Sequence, residues 1–188
     1  MKLDDDGIDL FQIKPEEYGS KYSEQLMEQY KLYIEMADRV SARRSTANTF
    51  FLAANTLLIS IFGAIVGKDA SCPNSNWMLF PLFAVSGLSF SVAWFHIVRS
   101  YGQLNSGKFK VIHKIEEKLP LALFKAEWTI LGKGRDPKLY RPLTDVERYA
   151  PLTFAMLYFL VLIISLYGHL SLTFFAYSSI LNQTVFLD

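Results

Sequence analysis

Three long stretches without a charged side chain constrain this chain more than anything else in it. Residues 48–66, NTFFLAANTLLISIFGAIV, give 19 in a row. Residues 77–98, WMLFPLFAVSGLSFSVAWFHIV, give 22, of which only His96 titrates. The third opens at Pro151 and stays uncharged to Leu187. A helix rises about 1.5 Å per residue and a bilayer core is about 30 Å thick, so about 20 residues suffice to cross it. Buried helices of water-soluble proteins rarely hold more than about 14 uncharged residues. A membrane interior satisfies no backbone polar group, so a crossing segment closes its own hydrogen bonds as a helix. The expected fold class is therefore all-α: an integral membrane protein with three transmembrane helices per subunit and a helical cytoplasmic layer. Mean hydropathy of +0.19 over 188 residues fits this reading.

The basic residues set the orientation. Seven of the 19 precede the first stretch and eleven lie in 98–150, while the loop 67–76 holds only Lys68 and the tail beyond 176 holds none. Cations concentrate on the cytoplasmic side of short loops. The expected arrangement is a flexible acidic arm (1–19), a cytoplasmic helix (20–47), a first span (48–66), an external loop (67–76) and a second span (77–98). A cytoplasmic helical segment (99–150), a third span (151–176) and an external tail (177–188) follow. Cys72 and the sequon at Asn182 then lie outside. Gly168 and His169 interrupt the third stretch, and a broken or re-entrant helix is the alternative there. The first apolar core begins too late for a cleavable signal peptide.

Local patterns refine this layout. Residues 20–47 lack glycine and proline. Leu26, Tyr30, Tyr33, Ala37 and Val40 recur at spacings of four and three, a narrow seam on one helix face. Nothing stops that helix at the membrane, so one continuous helix over about 20–66 is predicted. Its seam suits packing against the chain's own 99–150 segment or against another subunit. Residues 108–119 set Val111, Ile112, Ile115 and Leu119 opposite lysines, an amphipathic helix ended by Pro120. Residues 121–131 give a short helix with Phe124 and Trp128, and 132–137 a turn. Thr144 and Glu147 fit a capping box that starts the helix into the third span. So short a polar segment has too little apolar surface for an independent core; it needs the N-terminal helix or another subunit.

Chemistry is sparsely signalled. Residues 102–108, GQLNSGK, match the first seven positions of a phosphate-binding loop, but Phe109 stands where a magnesium-binding hydroxyl belongs, and the run follows an apolar helix rather than a strand. A net charge of +1 gives no basic excess for nucleic acid. One cysteine excludes an internal disulfide and multi-cysteine metal sites. His96 and His169 sit too far apart along their spans to form a relay, and His113, beside Glu116 and Glu117, reads as solvated. No nucleophile–base pair or metal-ligand cluster is legible, so no catalytic residue, metal or cofactor is expected. Asn55, Gly63, Gly87, Ser91 and Gly168 are candidates for close helix packing within the membrane. Trp77 and Trp94 read as interfacial anchors.

A set of motifs resembles a known family. Residues 99–105 (RSYGQLN), 108–112 (KFKVI), 116–120 (EEKLP), Glu127–Trp128, and the approach YKLYIE at 30–35 with Arg43, Arg44 and Asn48 are similar to the RipA-like family of small octameric bacterial inner-membrane proteins. The resemblance spans about 25–160. It implies a homo-oligomer in the bacterial cytoplasmic membrane and brings no catalytic residues. The expected function is a non-enzymatic oligomeric protein of the inner membrane with its N-terminus cytoplasmic, a scaffold or adaptation factor of the envelope. A ring-shaped pore and, more remotely, a membrane enzyme are the alternatives. Expected partners are membrane lipid, further copies of the chain and a cytoplasmic protein. Tyr30, Tyr33, Tyr101, Asn105, Lys108, Glu116, Glu127 and Trp128 are the candidate oligomer or partner contacts.

Overall fold

A computed structural model describes residues 10–69 and 79–185 of the chain. Most of the described residues are helical, and no strand occurs among them. A one-turn helix α1 (Pro15–Tyr18) precedes α2 (Tyr22–Asp69), a single helix of 48 residues. α3 (Leu79–Glu116) is followed by the short α4 (Leu123–Ile130) and a 3-10 turn at Gly132–Gly134. α5 (Leu143–Glu147) leads into α6 (Tyr149–Val185). Three of these helices, α2, α3 and α6, are long and apolar enough to cross a membrane.

α2 forms without a break, as the absence of glycine and proline over 20–47 predicts. α3 is longer than the sequence suggests. The second span and the amphipathic segment are one helix that runs through Gly102 and Gly107. Glycine weakens a helix by only about 1 kcal/mol, which neighbouring packing overrides. The phosphate-loop-like run 102–108 is therefore helix interior, with its N–H groups engaged in the helix. α5 and α6 are separate because Pro151 offers no N–H to the carbonyl of Glu147, and its ring blocks that position. α6 in turn passes Gly168 without interruption and ends at Val185, nine residues past the expected end of the third span. No proline follows Pro151 to stop it. The arm 1–9, Cys72, Trp77, and the side chains of Thr144, His169 and Asn182 lie outside the described residues.

The chain divides into two compact units. A polar unit joins the residues up to Ser45 with Ser100–Pro142. Its core is Tyr30, Ala37, Ile112 and Ile115, with Leu26, Tyr33, Ile34, Phe109 and Phe124 packed around them. The seam on α2 thus meets the apolar face of α3 within one chain. An apolar unit joins Thr46–Arg99 with the residues from Leu143 onward. A buried apolar cluster in it is Phe51, Trp94 and Val98, flanked by Phe90, Ile97, Ala150 and Phe154. Trp94 is not an interfacial anchor. It is buried, stacked on Phe51 at 5.9 Å, and its indole N–H donates to Asn48 Oδ1 at 2.9 Å.

Candidate functional site

In the polar unit one carboxylate organises the end of the core. Glu116 is the last residue of α3 and is fully buried. The Tyr30 hydroxyl donates to its Oε1 at 3.0 Å. The backbone N–H groups of Phe124 and Lys125 donate to Oε1 and Oε2 at 2.8 and 2.9 Å. Those amides belong to the first turn of α4, whose N-cap position is Ala122, a residue with no side-chain acceptor. The first N–H groups of a helix have no partner inside it and carry a partial positive charge. Glu116 supplies from α3 the cap that Ala122 lacks. Its carboxylate accepts there from backbone N–H groups at the positive end of the α4 dipole. Beside it, Lys125 Nζ pairs with Glu117 at 3.2 Å on the surface.

Two further contacts tie α2 to α3. Lys108 Nζ lies 4.6 Å from the centre of the Tyr33 ring, an attraction between the cation and the ring face. Tyr30 is held neutral: burial, then its hydrogen bond to Glu116 and the charge there, push its pKa up from 10.0 to about 12. Burial raises that of Tyr33 as well. Asn105 and His113 lie along the same helix, and Asn105 Oδ1 and His113 Nε2 are buried and make no hydrogen bond among the described residues. His113 is therefore not the solvated histidine expected from the charges beside it; the ring leans toward Phe109 at 6.4 Å.

The structure thus sorts the eight candidate contact residues. Tyr30 meets Glu116 and Tyr33 meets Lys108 inside one subunit. Tyr101 and Asn105 are half-buried on α3. Glu127 and Trp128 remain exposed on α4. Trp128 sets its edge against Tyr140 at 6.5 Å. Gly134 turns beneath it with φ +65, where a side chain would be strained and would press on the indole.

In the apolar unit, Asn55 donates to the Phe51 carbonyl at 2.8 Å and accepts from the Tyr158 hydroxyl at 3.1 Å. All of this is buried. A Cβ on Gly87 would run into the Tyr158 ring, so only glycine lets α6 come this close to α3. Ser91 is also buried, and its hydroxyl makes no hydrogen bond among the described residues. By contrast Thr56, Ser60, Ser86 and Ser89 each donate to the carbonyl one turn back. Of the five membrane-packing candidates, Asn55, Gly87 and Ser91 pack within the chain. A Cβ on Gly63 or Gly168 would meet nothing there. Sequence reasoning misses Tyr158, because a tyrosine in an apolar run reads as one more ring. Its hydroxyl, four residues past Phe154 and deep in the stretch, is the available signal. Glu116 reads as a contact residue, but its capping role depends on a chain reversal at 117–122 that periodicity does not reveal.

Long apolar helices, a polar cluster buried in an otherwise apolar unit and an apolar exterior on that unit define a multi-pass α-helical membrane protein. The sequence profile of the octameric membrane protein family (8xMP) matches residues 27–167. That is well over half of the chain, which therefore belongs to this family and is a membrane homo-oligomer. The match agrees with the octameric family suggested by the motifs between 25 and 160. No curated protein and no solved structure is detectably similar to the chain.

Proposed function

We propose that the protein is a non-enzymatic platform of the bacterial inner membrane. Its N-terminus and the 98–150 segment face the cytoplasm, and its copies gather the polar units on one leaflet, where they dock a cytoplasmic protein. The observation that carries this reading is the polar unit itself. Four of its titratable groups serve as structure: Glu116 caps α4, Tyr30 holds Glu116, and Lys108 covers Tyr33. The distribution of the 19 basic residues supports the orientation.

Two measurements test it together. Compartment-specific reporters placed after Asn74 and after Arg135 should answer from opposite sides of the membrane; the same side for both overturns the topology. Purified oligomer in a planar bilayer should carry no ionic current, and a reproducible conductance would replace the platform with a pore.

A further inference from the structure

The loop that closes the polar unit, residues 132–142 (GKGRDPKLYRP), carries four cations and one acid. It is folded rather than slack. Gly132, Lys133 and Gly134 turn in succession with φ of +63, +53 and +65. The N–H groups of Gly134 and Arg135 reach back to the carbonyls of Leu131 and Gly132 at 3.3 and 3.0 Å, and those of Leu139 and Tyr140 reach Asp136 O at 3.1 Å. A Cβ on Gly134 would meet Trp128 at 3.1 Å and Pro142 at 3.2 Å, so the loop closes tightly on its own start. Lys133, Arg135, Lys138 and Arg141 are exposed on this frame. None of the four side chains makes an ion pair or a hydrogen bond among the described residues. The acid of the loop is engaged by its own backbone: Asp136 Oδ1 accepts the Lys138 N–H at 2.9 Å. Arg148, the next cation along the chain, is by contrast paired with Asp145 at 3.4 Å. Lys133 is the one non-glycine residue with positive φ among the described residues. Glycine or asparagine would sit there at less cost, so the turn itself does not call for a cation.

The sequence says which anion lies within reach. Seven residues separate Arg141 from Tyr149, where the uncharged run of the third span begins. Clusters of cations directly beside a crossing helix attract acidic lipid. Leu139, set between Lys138 and Arg141, is 61% exposed. Unpaired cations with an apolar side chain among them match a bilayer surface, which offers phosphates beside acyl chains. An acidic protein would answer the cations alone. We propose that this loop is a clamp for acidic phospholipid: Lys133, Arg135, Lys138 and Arg141 bind headgroup phosphates of the adjoining leaflet, with Leu139 against the acyl boundary. The proposal rests on membrane insertion of the third span and is independent of the platform role.

The full-length oligomer in lipid nanodiscs tests it, with hydrogen exchange read over residues 132–141. Exchange should be slower in discs containing phosphatidylglycerol than in discs of phosphatidylcholine alone, and raised salt should remove the difference. A quadruple variant (Lys133→Gln, Arg135→Gln, Lys138→Gln, Arg141→Gln) sits at the same surface and so reports any general effect of its charge; it should exchange equally in both discs. Native mass measurement in detergent gives the affinities. The quadruple variant should lose about tenfold or more in phosphatidylglycerol binding and Arg141→Gln about fivefold, with phosphatidylcholine binding unchanged. Equal exchange of the wild-type loop in both discs, or equal phosphatidylglycerol affinity of the wild type and the quadruple variant, overturns the proposal. A quadruple variant that loses its native mass also overturns it, because the cations then serve assembly. Two further arms separate the sources of anion. Polyglutamate, or inorganic phosphate, added to the phosphatidylcholine discs should leave the loop's exchange unchanged. Protection by polyglutamate equal to that by phosphatidylglycerol assigns the loop to an acidic protein instead, and protection by phosphate assigns it to a soluble anion.

Discussion

In the polar unit Tyr30, Ala37, Ile112 and Ile115 are buried and the charged side chains lie mostly outside, with Glu116 as the fully buried exception. In the apolar unit Asn55 and Ser91 are among the best-buried residues, while Phe50, Leu57, Leu82, Met156 and Ile164 point outward. The contrast follows from the solvent each unit answers to. Water rewards removal of apolar surface at about 25 cal/mol per Å², so the polar unit closes around aliphatic and aromatic side chains. Lipid gives no such reward, so the apolar unit associates through close approach at Gly87 and a hydrogen bond between Asn55 and Tyr158. One polar contact inside each unit therefore tests the rule from opposite sides.

The largest effect should come from Glu116→Leu. It leaves the Tyr30 hydroxyl and two α4 amides without their acceptor, at about 3–4 kcal/mol. Hydrogen exchange should show α4 released and the apolar unit unchanged; protection of the Phe124 and Lys125 amides at the wild-type level would break the account. Gly87→Val should cost about 2 kcal/mol by forcing its side chain into Tyr158, read as a lower denaturation midpoint in detergent. Alkali should act on the polar unit through Tyr30. Because folding raises the Tyr30 pKa from 10.0 to about 12, its contribution is complete below pH 10 and is lost as pH climbs through 12, on the order of 2 kcal/mol. A tyrosinate absorbance titration compared with Tyr30→Phe isolates that step. The smallest effect should be Tyr158→Phe, about 0.6 kcal/mol, the usual worth of a hydrogen bond between helices in lipid. A loss near that of Glu116→Leu would erase the distinction between the units.

Spans, helix periodicity and the seam on α2 are legible because each is a local repeat of residue type. The continuation of α3 through Gly102 and Gly107 is not, since weak helix formers yield to packing that a linear pattern does not display. The lengths of α6 and α5 hinge on one proline in one place and on the absence of another. Trp94 illustrates a different gap. Its position at the end of a span reads as an anchor, and only the meeting of two helices reveals Asn48 as the acceptor and Phe51 as the stacking partner. Glu116 and Tyr158 escape a linear reading for a common reason. Each joins residues far apart in sequence, 86 positions for Tyr30–Glu116 and 103 for Asn55–Tyr158.

The indoles also make the molecule its own optical gauge. Trp94 is dry, stacked and hydrogen-bonded, an environment that favours blue-shifted emission, while Trp128 on α4 is over a third exposed and should emit further to the red. With Trp77 replaced by Phe, the two colours report separately on the two units, so the unfolding of one can be followed by fluorescence while the other stays intact.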